Sequence, residues 1–110
     1  MAENFTVDFK GGVAKITLSG RLDTTKAPAL TEELKKMIGQ PVSRIVFFAK
    51  DLEYIASSGL RAIVFAKQKI GKDTKVYLIG AHDEIKDVIK MTGFDNFLIT
   101  QDTYEDATNS

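Results

Sequence analysis

Apolar and polar positions alternate through Phe5-Thr6-Val7-Asp8-Phe9 and again through Val13-Ala14-Lys15-Ile16-Thr17-Leu18, the period of a strand with one face on a core and the other in water. Gly11-Gly12 between them marks a tight hairpin turn, because glycine reaches the positive φ that such turns require. The two runs predict an antiparallel pair, ended by Ser19-Gly20-Arg21-Leu22-Asp23. The period then lengthens. Ala27, Leu30, Leu34, Met37 and Ile38 line one side of a helix whose Glu32, Glu33, Lys35 and Lys36 face water, with Thr24 and Thr25 as competent caps and Pro28 near the first turn. Gly39-Gln40-Pro41 breaks it.

Arg44-Ile45-Val46-Phe47-Phe48-Ala49 is a short continuous apolar run, which suits a strand covered on both faces. Leu60, Ile63, Val64, Lys67 and Ile70 follow at three- and four-residue steps, a second helix face, closed by Gly71-Lys72-Asp73 with Lys67, Lys69 and Lys72 near its negative end. Val76-Tyr77-Leu78-Ile79 reads as another strand. His82 and Asp83 open a third helix with a narrow stripe of Ile85, Val88 and Ile89, ended by Gly93. Phe97-Leu98-Ile99-Thr100 gives a short last strand, and Asp102 to Ala107 the start of a short acidic helix. Strands alternating with helices predict an α/β fold: one small mixed sheet, mostly parallel after an N-terminal antiparallel hairpin, with helices mainly on one face.

A length of 110 residues points to a single domain, 1–110, able to bury a core without staples. Lysine plus arginine equals aspartate plus glutamate at 15 each, so no global field favours nucleic acid or an anionic membrane, and a partner has to be read by local shape and chemistry. The absence of cysteine removes disulfides, thiolate catalysis and thiolate metal sites. No run reaches the ~20 apolar residues of a membrane span, and a cytoplasmic location is expected. The chain has no Gly-x-Gly-x-x-Gly or Gly-Lys-Ser/Thr turn, one histidine and scattered acids, so neither a cofactor nor a metal is expected. A Ser57-His82-Asp hydrolase lacks the Gly-x-Ser-x-Gly elbow, and no enzymatic activity is expected.

The chemistry concentrates in Asp51-Leu52-Glu53-Tyr54-Ile55-Ala56-Ser57-Ser58-Gly59-Leu60, between the apolar strand and the second helix. Ser57 or Ser58 is a good N-cap, placing a hydroxyl beside the positive end of a helix dipole. The plain reading is a cap and nothing more. The order Asp-Leu, aromatic, Ile, one small or acidic residue, Ser-Ser-Gly-Leu resembles the phosphorylation segment of the STAS domain family of bacterial anti-sigma factor antagonists. Asp51-Leu52 and Ser57-Ser58-Gly59-Leu60 match that pattern, whereas Ala56 stands where many members carry aspartate. A second stretch, Ser19-Gly20-Arg21-Leu22-Asp23, resembles the family's Gly-x-Leu-Asp element, which lies near the phosphorylatable serine.

The resemblance implies a non-enzymatic module that binds an anti-sigma factor, commonly a serine kinase, and so releases a sigma factor. A phosphatase of the PP2C type reverses the modification. It makes Ser57 the phosphoacceptor, with Ser58 as the alternative, and Asp23, Asp51, Ser57, Ser58, Gly59 and Arg61 the partner-binding residues, Gly59 letting a partner backbone approach. Asp23 is read equally well as an acid that stabilises the next helix. Phe47, Phe48, Phe65 and Tyr77 fall within strands or helices and read as core; Phe65 lies off the main apolar stripe, and an outward-facing Phe65 would belong to an interaction patch. Two other readings keep the same surface: an accessory subunit of a lipid or anion transporter, and a constitutive binder in which Ala56 has removed the phosphorylation switch.

Overall fold

A computed structural model of the chain describes residues 5–70, 74–93, 96 and 98–102. The hairpin forms as the alternation predicts: β1 (Phe5–Lys10) pairs antiparallel with β2 (Val13–Leu22), and Gly11 and Gly12 at φ +60° and +80° make the two-residue turn whose twist matches that of the strands. After α1 (Ala27–Lys35) the chain enters β3 (Arg44–Ile55). Next come α2 (Ser57–Phe65), prolonged by a π-helical turn over Ala66–Ile70, then β4 (Lys75–Ile79), α3 (Asp83–Met91) and β5 (Ile99–Gln101). The sheet order follows the sequence, β1-β2-β3-β4-β5, with β2 to β5 parallel.

The pleat sorts the side chains. Ile16 and Leu18 of β2, Ile45, Phe47 and Ala49 of β3 and Val76 and Leu78 of β4 form one cluster with Leu30 and Leu34 of α1, Leu60 and Ile63 of α2 and Ile85 and Ile89 of α3. The three helices therefore share one face of the sheet. The alternate residues Val46, Tyr77 and Ile79, with Val13 and Phe48, form a smaller cluster on the other face.

The structure departs from the sequence reading at element ends. β2 and β3 both run on, to Leu22 and Ile55 rather than Leu18 and Ala49. Helix α1 stops at Lys35, and the tightened bonds from the Met37 amide to the Leu34 carbonyl and from Ile38 to Lys35 turn the chain so that Met37 is buried while Ile38 is exposed. Lys26, not Thr24 or Thr25, stands at the start of α1. Val88 is exposed, leaving Ile85 and Ile89 to seat α3. Phe65 is half-buried and packs against the main core, the core reading of this residue and not the outward-facing alternative. The last strand lies two residues later, at Ile99–Gln101, with Leu98 buried just before it. Gly71-Lys72-Asp73, Phe97 and the stretch 103–107 lie outside the described residues.

Candidate functional site

The site grows from the extensions of β2 and β3. β4 last pairs with β3 at Ile79 and Phe48, so beyond that point β3 has only β2 beside it among the described strands. From Thr17 to Leu22 β2 advances five positions while β3 advances seven, from Phe48 to Ile55. Two extra residues on β3 bend and twist the ribbon, as bulges do, and Gly20 at φ +65° takes a backbone angle that a side chain would resist. The irregular pairing still ends in register: Leu22 faces Ile55, both buried.

Helix α2 starts at once from this ribbon end. The Ala56 amide donates to the Leu22 carbonyl at 2.9 Å, and the Leu60 amide donates to the Ala56 carbonyl at 3.0 Å to close the first turn. Ala56, in extended conformation, is therefore the N-cap; no side chain among the described residues caps the helix and no acid stands in its first turn. Neither serine is the cap that the sequence suggested, because β3 continues to Ile55 and the strand-to-helix switch falls one residue before Ser57.

The two serines diverge in setting. Ser57, first residue of α2, is exposed. Ser58 turns its Oγ into the interior, where it is fully buried and has no hydrogen-bond partner among the described residues. A kinase reaching for the Ser58 hydroxyl would first have to open the helix start. An unpaired buried hydroxyl costs about 1–3 kcal/mol, so Ser58→Ala is expected to leave the melting temperature unchanged or raise it. A marked drop on thermal denaturation would show that this hydroxyl has a partner.

Gly59 is buried, and the close approach it permits is internal. A Cβ there would lie 2.8 Å from the Leu22 carbonyl oxygen, 2.9 Å from Leu22 Cγ and 3.0 Å from Ile55 Cγ1. Its absence lets α2 sit directly on the end of the ribbon and so fixes where Ser57 emerges. This replaces the expectation that Gly59 opens space for a partner's backbone.

Asp23 follows Leu22 at the same edge. Its Oδ1 accepts the Thr25 hydroxyl at 2.6 Å, the Thr25 amide at 3.0 Å and the Lys26 amide at 3.2 Å, which shapes the turn ahead of α1, whose own N-cap residue, Lys26, makes no side-chain cap bond. The Thr25 hydroxyl is the main cause holding the Asp23 carboxyl below its ordinary value of 3.8, with the amides of Thr25 and Lys26 and the Arg21 charge acting in the same direction. A depressed folded-state pKa stabilises the fold above the unfolded value, and that contribution fades as pH falls through the folded one. NMR titration is expected to place the Asp23 midpoint below 3.8 and to move it upward in Thr25→Val. A midpoint that ignores Thr25 would contradict this bonding.

The remaining candidates sit around this edge. Arg61 is exposed and four residues beyond Ser57 on α2, hence on the same helix face. Asp51 is exposed at the base of the ribbon, opposite Ser19. His82 is the exposed N-cap of α3, and no hydrogen bond among the described residues joins it to Ser57. The sequence reading passed over one pair. Arg21 faces Tyr54 across the ribbon, with the guanidinium carbon 4.2 Å from the ring centroid. That pairing was legible only from the bulged register.

The family model of the STAS domain matches residues 4–107. The chain belongs to the STAS domain family. This STAS chain is 26% identical over 102 residues to RsfB, an anti-sigma-F factor antagonist of Mycobacterium tuberculosis, a span covering 93% of this chain and 84% of that protein. It is similar to the crystal structure of an anti-sigma factor antagonist from Mycobacterium paratuberculosis, with a TM-score of 0.81 and 25% identity over 96% of this chain and 90% of the other. The Bacillus cell fate determinant SpoIIAA in its phosphorylated form aligns with a TM-score of 0.75 over 96% of each chain. At 18% identity that likeness is one of fold. No described helix of the STAS chain is long and apolar enough to cross a membrane.

Proposed function

We propose that the protein is an anti-sigma factor antagonist, a binding module that holds an anti-sigma factor and so frees a sigma factor, switched by phosphorylation of Ser57. The likeness to RsfB along 93% of the chain supports the general function. The observation that carries the switch is the exposure of Ser57 at the first position of α2 while the neighbouring Ser58 hydroxyl is sealed. Ser57 is accordingly the acceptor, the partner is an anti-sigma factor with serine kinase activity, and a phosphatase of the PP2C type resets the switch.

The contact surface takes in Ser57 and Arg61 on α2, Asp51 at the base of the ribbon, and the Asp23 turn. Asp23 acts mainly by setting the shape of that turn, since three donors already converge on its Oδ1. Gly59 acts by positioning Ser57, not by touching the partner. The missing cap at Ala56 leaves the switch its physics: a phosphate on Ser57 would supply negative charge and acceptor oxygens beside first-turn amides that no side chain caps. The domain would keep its fold while its surface gained negative charge.

Reconstitution tests the function. Adding the unmodified protein to a purified complex of sigma and anti-sigma factor is expected to release sigma, and prior incubation with the kinase and ATP is expected to block release and to add one phosphate to Ser57. A protein that releases no sigma from any anti-sigma complex of its own cell, and co-purifies with a transport complex, is a transporter accessory subunit instead. Release that continues undiminished with no phosphate on Ser57 marks a constitutive binder.

A further inference from the structure

The three described helices lie on one face of the sheet, and the strand register gives the make-up of the other. Val46 and Phe48 of β3 stand beside Tyr77 and Ile79 of β4 at its centre. No described helix packs there. Even so, Val46 is 0% exposed, and Tyr77 and Ile79 are 4% exposed each. Neighbours within a sheet stand beside a side chain, about 4.7–4.9 Å away across the strands, and leave its outward end to solvent unless a further layer covers it. The burial is complete within one chain, so the cover belongs to that chain.

The extent of the cover shows where it comes from. One row of this face runs across the sheet through Thr6, Thr17, Phe48, Ile79 and Gln101. Thr6 and Thr17 are exposed, Phe48 is half-buried and Ile79 is buried. The closed part therefore lies over β3 and β4, toward β5, and not over the hairpin. Residues 1–4 lead into β1 beside the exposed Thr6, on the open side. Residues 71–73, 94–95 and 97 lead toward the starts of β4 and β5, at the other end of the strands from Ile79 and Gln101. Residues 103–110 follow directly from Gln101 and Asp102, next to the closed part. From β5 to β3 is two strand spacings, about 9.5 Å, which three extended residues at roughly 3.3–3.6 Å each already span.

Charge and residue type agree with that source. The strand residues of this face include Lys10, Lys15, Arg44 and Lys75 against a single acid, Asp8, an excess of positive charge that does not require any one of them to be unpaired. Thr103-Tyr104-Glu105-Asp106-Ala107-Thr108-Asn109-Ser110 has two acids and no base. Tyr104 and Ala107 are three apart, the spacing of one side of a helical turn, and Tyr104 supplies a large apolar ring with a polar tip. We infer that residues 103–107 cross back over β4 and β3 as a strap, with Tyr104 set against Val46, Tyr77 and Ile79 and with Glu105 and Asp106 drawn to the basic side of the sheet. The second face is thus an interaction surface occupied by the chain's own residues after β5. With it closed, the helix side, where α2 carries Ser57, is the ground left for a partner. The strap is independent of the proposed function and stands or falls without it.

Nuclear Overhauser contacts in the unmodified chain test this without any substitution. Contacts are expected between the ring protons of Tyr104 and the methyl groups of Val46 and Ile79. Contacts to those methyls from another segment, or none from residues 103–110, overturn the inference. Thermal melts add an energetic reading. Tyr104→Ala is expected to lower the melting temperature by roughly 5–10 °C, as the loss of a packed ring does in a domain of this size. The double variant Glu105→Lys with Asp106→Lys is expected to lower it as well, by an amount that shrinks as salt is raised. Either variant melting together with wild type at low salt overturns the inference. Should a variant fail to fold, the contacts in the unmodified chain still decide between the strap and another cover.

Discussion

Gly59→Ala lowers the stability of the domain by roughly 1–3 kcal/mol, the range for forcing an extra carbon into a filled site. The new Cβ would meet the Leu22 carbonyl oxygen at 2.8 Å, an atom held in place because it accepts the Ala56 amide bond at 2.9 Å. Leu22 Cγ and Ile55 Cγ1 close the other sides at 2.9 and 3.0 Å. Relief requires α2 to lift off the ribbon. Alanine favours a helix over glycine by up to about 1 kcal/mol, which offsets the clash only in part. The melting temperature is expected to fall by on the order of 5 °C for each kcal/mol lost, measured by calorimetry or circular dichroism. Because α2 carries Ser57, partner affinity is expected to fall as well. A fully stable Gly59→Ala would show that the ribbon end yields more easily than its hydrogen bond implies.

Ser57→Asp separates the two roles a serine at this place can have. As a local matter an acid at the first position of an uncapped helix is favourable by about 0.3–1 kcal/mol, so the melting temperature is expected to hold or rise slightly. At a docked interface the same charge loses water and opposes any acidic group of the partner brought up beside it. Like charges brought together there cost several kcal/mol in the strongest cases. A carboxylate carries about half the charge of a phosphate, so we expect a loss of about tenfold in affinity for the anti-sigma factor. Ser57→Ala, which adds no charge, is expected to bind like wild type. A drop in stability with unchanged binding would mean that Ser57 serves only the fold.

Much of this architecture was legible in the sequence because its signals are local. The Gly11-Gly12 turn requires only its own positive φ values, and the stripes of Leu30 with Leu34 and of Ile85 with Ile89 require only the helical period. Arg44 to Ala49 declared a buried strand by its continuous apolar character. What escaped depends on long-range geometry. Ser19-Gly20 and Lys50-Asp51 carry turn-forming residue types, yet they lie within strands, because β2 and β3 stay paired through their irregular register and bury Leu22, Leu52 and Ile55. Once the strand reaches Ile55, the cap falls on Ala56 despite the better capping chemistry of serine.

The candidate site was readable to a similar depth. Ser57, Asp23 and Asp51 were singled out by the resemblance of their segments to the STAS family's pattern, and the register brings the strand ends before Ser57 and Asp23 side by side. The difference between Ser57 and Ser58 was hidden, since it depends on the angle at which α2 settles on Leu22. The same holds for Arg21 and Tyr54, which are 33 positions apart and meet only because β3 carries two more residues than β2 over this stretch.

The most direct test is a calorimetric titration of one anti-sigma factor with two forms of the protein, unmodified and stoichiometrically phosphorylated by its kinase, with the phosphate located by mass spectrometry. The account predicts the phosphate on Ser57, a loss of affinity of about a hundredfold and a melting temperature that does not fall. Equal affinity for the two forms, or a phosphate carried elsewhere than Ser57, would contradict it.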